Sequence, residues 1–214
     1  MYADALHIAG IAAPIAITAL IVNVGNVLPG KATTNLMLIN VPPGRVGICI
    51  SGGLDSALLY HLILKENKHV IPLLVYKNDD QQQHARSVIS YLHKLHNVNT
   101  EPILLNNRDI RRAIDEAIKS GFRTVYVGVI KELEEFLVDW EPNNFKNSKW
   151  VKGPFKDLDK RQIVDLVIKN NVENLFLITH SCATQGQGRC MVCNRCRERA
   201  WGFSQLGLTD PGII

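Results

Sequence analysis

From Arg45 onward the apolar residues switch repeatedly between strand-like and helix-like spacing, and few architectures satisfy that alternation. "VGICI" (46–50) is a short apolar run that leads into helical spacing over "DSALLYHLILKE". "VIPLLVY" (70–76) reads as a second strand and "HARSVISYLHKLH" (84–96) as an amphipathic helix. "TEPILL" (100–105) is the third strand, followed by a helix over "DIRRAIDEAIKS" that Gly121 ends. "RTVYVGVI" (123–130) is the fourth. After an irregular stretch at 139–155, a helix at "DKRQIVDLVIKN" and a fifth strand at "NLFLIT" complete the series. Strands alternating with helices predict a doubly wound, mostly parallel five-stranded α/β sheet covered on both faces.

The first 44 residues do not follow this beat. "IAITALIVNV" and "TNLMLINV" read as strands, expected to add sheet edges or build an interface. "IAGIAAPIAITALIV" has the length of a signal-peptide core but no lysine or arginine before Lys31. With Gly10, Pro14 and Thr18 inside it and too few residues for a span, it is expected to be buried rather than in a membrane. The expected organisation is an N-terminal extension (1–44), a nucleotide-binding domain (45–178) and a metal-binding segment (179–214).

The junction of the first strand and helix reads Ser51-Gly52-Gly53-Leu54-Asp55-Ser56. In a parallel sheet such a loop lies at the ligand-binding, carboxyl end of the strands. Gly52 and Gly53 can take positive φ and let backbone approach an anion. Their N–H groups, with those of Leu54 and Asp55, can form a nest at the positive end of a helix, and Ser51 and Ser56 add hydroxyl donors. The alternative is a tight turn with a Ser or Asp cap. The pattern is neither a Walker A loop nor the dinucleotide fingerprint.

Four of the five cysteines crowd together as Cys182, Cys190, Cys193 and Cys196. The spacing Cys-x7-Cys-x2-Cys-x2-Cys suits a structural tetrahedral zinc site, since four thiolates leave no open position for water. An iron–sulfur cluster or disulfides are the alternatives, and clustering in a chain this long favours metal in a reducing compartment, hence a cytoplasmic protein. His180 beside the cluster is either a loop residue or a substrate contact, and Cys49 is expected to be a small core residue. The net charge of +4 suits an anionic small molecule as well as nucleic acid.

The loop Ser51–Ser56 resembles the PP-loop of the ATP-pyrophosphatase superfamily (adenine nucleotide alpha hydrolase-like fold). With the cysteines it resembles the 7-cyano-7-deazaguanine synthase (QueC) family in particular. Thr179, Ser181, Cys182, Cys190, Cys193, Cys196, Arg199, Gly202, Phe203, Asp210 and Pro211 fall on that family's C-terminal pattern. Pro154, Lys160 and Gly128 match upstream, and Tyr76, Gln82 and His84 match loosely. Four features depart from it, the first being the N-terminal extension (1–44), which is foreign to the pattern. No long insertion follows the third strand, Cys-Gly becomes Cys190-Met191, and a Tyr-Pro-Asp-Cys-Arg stretch is missing from 131–150.

The resemblance implies ATP-dependent adenylation of the carboxylate of 7-carboxy-7-deazaguanine, attack by ammonia, and conversion to the nitrile with release of AMP and pyrophosphate. It implies ATP and Mg²⁺ at Ser51–Ser56, with Asp55, Ser56 and Lys160 in the catalytic set and backbone at Val75 and Tyr76 meeting adenine. Lys160 alone would read as a solvated helix-start lysine, and Arg108 as either an anion partner or part of an exposed helix face. A homodimer is compatible with the family. The variants left open stop at the amide or transfer the acyl group to another amine, including one on a protein or a nucleic-acid precursor. A tRNA-thiolating enzyme of the same superfamily and a non-catalytic zinc module binding nucleic acid through Arg189, Arg195, Arg197 and Arg199 are the competing classes.

Overall fold

A computed structural model describes residues 37–75, 79–105, 110–133, 136, 149–184 and 189–212. Five parallel strands, β1 (Val46–Ile50), β2 (Ile71–Leu74), β3 (Ile103–Leu104), β4 (Thr124–Tyr126) and β5 (Val151–Lys152), pair in the order β3-β2-β1-β4-β5. The helices are α1 (Leu54–Glu66), α2 (Asp79–His96), α3 (Ile110–Lys119), α4 (Lys160–Lys169), α5 (Asn174–Ile178) and α6 (Asn194–Ser204). The expected parallel α/β sheet is therefore present.

The two faces of β1 explain the layering. Val46, Ile48 and Ile50 point into one apolar cluster with α1, α2, α4 and α5, while Cys49 points into a second cluster with α3. Every β1 residue is buried, which is why the strand reads as a continuous apolar run rather than an alternating one. Helix α1 is apolar almost all round because other helices cover the side facing away from the sheet. In contrast, α2 buries only Ala85, Val88, Ile89 and Leu92, the stripe expected of a one-sided helix. Gly121, at φ +93°, ends α3.

The chain runs outward from β1 through β2 to β3, then crosses to β4 on the other side of β1. The gap between the carboxyl ends of β1 and β4 is thus the topological switch point, where open α/β sheets bind ligands. The Ser51–Ser56 loop leaves β1 at that point.

Several expectations are corrected. "NLFLIT" is not a strand but helix α5, with Leu175 and Phe176 turned into the core and Leu177 exposed. A short apolar run carries no decisive period, and here it packs against α1 and α2 outside the sheet. The fifth strand is instead the two-residue β5, inside the stretch read as irregular; Val125 and Val127 donate to the Trp150 and Lys152 carbonyls. Of "TNLMLINV", residues 37–41 are not strand, although Ile39 is buried in the core and the Asn40 carbonyl accepts from the Tyr126 hydroxyl. "IAITALIVNV" lies outside the described residues. Strands β2, β3 and β4 are shorter than the apolar runs that announce them, and α2 begins five residues earlier, within polar "DDQQQ".

Candidate active site and metal centre

Helix α1 starts at an uncapped end. Gly53 occupies the N-cap in extended conformation and offers no side chain to the first-turn N–H groups. Such a terminus presents free donors and a positive dipole end. The loop is braced from within: the Ser51 and Ser56 hydroxyls share a 3.2 Å hydrogen bond, Ser56 donates to the Gly53 carbonyl, and the Gly53 N–H donates to Ser51 Oγ. Leu54 is buried beneath the loop, anchoring the helix start in the core.

Both close approaches around the loop need glycine. Gly52 has φ +82°, and a Cβ there would lie 2.9 Å from the Ala85 N and the His84 Cβ. A Cβ on Gly128, just past β4, would lie 2.7 Å from the Ser56 N. The segment that follows β4 therefore runs directly against the N-terminus of α1.

Lys160 is the first residue of α4, whose start is fixed by a reciprocal capping box between Asp159 and Gln162. Its Nζ reaches the two Asp55 carboxylate oxygens at 2.6 and 2.7 Å. The side chain is 3% exposed, so it is not a solvated lysine. A cation at the positive end of a helix is unfavourable unless paired. Two carboxylates provide the pairing, because Glu198 Oε2 lies 3.6 Å from the same nitrogen. Burial holds the Glu198 carboxyl above the usual range, while Lys160 opposes that rise.

The four cysteine sulfurs all lie within 4.8 Å of one another. Tetrahedral zinc thiolates sit about 3.8 Å apart for a Zn–S bond of about 2.3 Å, and Cys182 and Cys193 are at 4.0 Å. The Cys193 N–H donates to Cys190 Sγ and the Cys190 N–H to Cys182 Sγ, stabilising thiolate character. Backbone donors, those of Cys193 first, lower Cys190 to about 6, whereas burial raises Cys196 to about 12. A shared divalent cation is what would ionise all four together. The donor set, its closeness and the N–H···S bonds fit zinc held by Cys182, Cys190, Cys193 and Cys196. All four are free of disulfides.

The cluster is fastened to the loop. Cys193 caps α6, and Gly202 on that helix packs so closely on α4 that a Cβ would meet Lys160 Cγ at 2.6 Å. Arg199, fully buried, binds Asp210 through two nitrogens and also donates to the Thr179 hydroxyl and the Phe176 carbonyl. Arg189 joins the same carboxylate and the Thr179 carbonyl. From that anchored segment the His180 N–H donates to the Gly52 carbonyl at 2.9 Å.

His180 is therefore more than a loop residue: its ring stacks on His84 beside the glycine loop. Burial lowers both histidines, so neutral imidazoles line this edge. Sequence reasoning named both but had no signal that they meet. It missed Glu198, which reads as one more charge in "RCRERA". Val75 follows β2 and packs in the cluster under α3; Tyr76 and Arg108 lie outside the described residues. Cys49 is a core residue whose thiol burial raises to about 12, which leaves no reactive thiolate there for sulfur transfer.

Fold and site together define a doubly wound parallel α/β protein whose switch-point glycine loop is bound to a four-thiol cluster. A family model described as "Queuosine biosynthesis protein QueC" matches residues 105–207. Among curated relatives, the 7-cyano-7-deazaguanine synthase of Aliarcobacter butzleri is 35% identical over 114 residues, 46% of this chain and 49% of that protein. The Campylobacter jejuni protein of the same name (serotype O:6) is 24% identical over 220 residues, 78% of this chain and 96% of its own. The Oceanobacillus iheyensis protein of that name is 35% identical over 92 residues, 43% of this chain and 40% of that protein. The chain thus spans about half the length, or less, of the relatives it matches at 35% identity. The resemblance to the QueC family is borne out by the family model and by these relatives. Among the described residues, no helix is long and apolar enough to cross a membrane.

Proposed function

We propose that the chain is an ATP-dependent synthase of the QueC type, activating the carboxylate of 7-carboxy-7-deazaguanine and converting it to 7-cyano-7-deazaguanine. The observation that carries this reading is the Lys160–Asp55 pair, at 2.6 Å, beside an uncapped helix N-terminus at the β1/β4 switch point. A buried cation, free N–H donors and hydroxyls in one place suit a polyphosphate and the pyrophosphate it releases.

In the first step a carboxylate oxygen attacks the α-phosphorus of ATP and pyrophosphate leaves. The N–H groups of Gly53, Leu54 and Asp55, with the hydroxyls of Ser51 and Ser56, would receive that charge, and Lys160 would add a full positive charge. Ammonia then attacks the acyl carbon and AMP leaves, giving the amide. A second activation at the amide oxygen allows loss of AMP to the nitrile, so two ATP are consumed. Mg²⁺ is usually held by one or two carboxylates plus substrate phosphates. Asp55 is proposed as that carboxylate, and the metal would neutralise phosphate charge there. Val75, which follows β2, and Tyr76 are proposed to meet adenine through backbone.

Zinc is assigned a structural role, because four thiolates complete its coordination. Clustered free thiols suit a reducing, cytoplasmic compartment, and a homodimer is the proposed assembly. A second reading rests on the junction of β3 and α3, where only residues 105–109 stand between them and the family carries a long insertion. A pocket trimmed there favours transfer of the activated acyl group to an amine larger than ammonia.

The test is to incubate the zinc-loaded protein with Mg-ATP, 7-carboxy-7-deazaguanine and ammonium, following AMP and nucleobase mass together. AMP with a nitrile product supports the first reading. AMP that appears only with another amine supports the second, and absence of both rejects the substrate.

A further inference from the structure

Three elements deliver charge to one buried point: Asp55 from α1, Lys160 from α4 and Glu198 from α6. Glu198 is 3% exposed, and its Oε2 lies 3.6 Å from Lys160 Nζ. Its helix begins at Cys193 and carries Cys196, so the metal cluster fixes the origin of the helix that bears this carboxylate. The backbone of that helix is also seated against Lys160 at Gly202.

Both oxygens of Asp55 are engaged by Lys160. A divalent cation arriving with the nucleotide would compete for that carboxylate, and Lys160 would lose its nearest partner. A lysine side chain has about 2 kcal/mol of rotamer entropy, and a freed one spreads over many orientations. Glu198 is the remaining counter-charge within reach among the described residues.

Resting on the nucleotide-binding reading above, we propose that Glu198 is a positioning residue for Lys160. It holds the ammonium toward the glycine loop when Asp55 turns to the nucleotide's divalent cation. The metal-cluster helix thereby sets nucleotide affinity through a side chain that never touches the nucleotide.

The experiment measures binding of α,β-methylene-ATP to the full-length, zinc-loaded protein by calorimetry, with and without Mg²⁺. Glu198→Gln keeps the shape and removes the charge. In Mg²⁺ it should weaken binding about tenfold, the scale of one charge-assisted hydrogen bond. In Mg²⁺-free buffer, where Asp55 still holds Lys160, the same substitution should change affinity less than about twofold. In a Lys160→Ala background it should have no further effect, as required of a residue acting through Lys160. Zinc content and melting curves check the fold. If Glu198→Gln folds poorly, Glu198→Leu removes the buried charge altogether and takes its place.

Wild-type binding that Glu198→Gln leaves unchanged in Mg²⁺ overturns the role of Glu198 alone. An equal loss with and without Mg²⁺, or one that persists without Lys160, also overturns it and marks a purely structural residue. A zinc-loaded wild-type chain that does not bind the analogue overturns the nucleotide reading and this role with it.

Discussion

The rings of His84 and His180 stack with centroids 4.3 Å apart and planes 2° from parallel. The two residues come from α2 and from the segment before the cysteines, and both also press on Gly52, one by its Cβ and one by its backbone N–H. The stack closes the side of the glycine loop. If flat contact is its contribution, His84→Ala will weaken ATP-analogue binding about 2- to 10-fold, the worth of one aromatic pair. His84→Phe will restore most of it. Calorimetric titration of both variants decides, and a Phe variant as weak as Ala would assign the imidazole a chemical role instead.

Gly128 leaves no room for a methyl group. Its Cβ would lie 2.7 Å from the Ser56 N and 2.8 Å from the Ser56 Cα, and backbone cannot swing aside as a flexible side chain can. Gly128→Ala should cost about 1–3 kcal/mol in urea unfolding. It should also displace the N-terminus of α1, so that nucleotide binding falls even where the variant is folded.

Met191 sits at φ +61° between two of the cysteines, at the position where the QueC pattern has glycine. A left-handed conformation costs a side-chain-bearing residue about 1–2 kcal/mol. Met191→Gly should therefore tighten zinc binding about tenfold in competition with a chelator, and Met191→Val should loosen it. Cys196→Ser should lose the metal and with it the cooperative melt of α6.

His61 on α1 is 5% exposed, bonded through Nδ1 to His96 at 3.0 Å, with its Nε2 buried and unpartnered among the described residues. Burial, then His96 and Lys65, lower it to about 4. The folded state thus takes up the proton later than the unfolded chain, whose histidines titrate near 6.5. Stability should be full above pH 6.5 and decline as pH falls toward 4, by about 3 kcal/mol in total. His61→Leu should flatten that decline, which denaturant melts at pH 7 and pH 5 will show.

The core strands were readable because burial on both faces of a parallel sheet writes itself as apolar runs such as "VGICI" and "IPLL". The same logic misled at "NLFLIT", where five apolar-rich residues make one short helix rather than a strand. Strand β5 has two residues and no period to detect. The glycine loop and the cysteine spacing were legible because their residues are close in sequence. The Lys160–Asp55 pair spans 105 positions; family likeness named the two residues separately, and nothing in the sequence signalled that they meet. Glu198 and the His84–His180 stack had no local pattern at all: what gathers them is the packing of α6 and the segment before it onto α4 and the loop.

On the proposed reading, AMP is joined to a carboxylate at the Ser51–Ser56 loop. Exchange of radiolabelled pyrophosphate into ATP reports that reversible step without needing the amine. The account predicts exchange by the zinc-loaded protein that depends on 7-carboxy-7-deazaguanine and is lost in Lys160→Met. ATP cleaved to ADP and phosphate, or no carboxylate-dependent exchange from a folded, zinc-loaded chain, would contradict it.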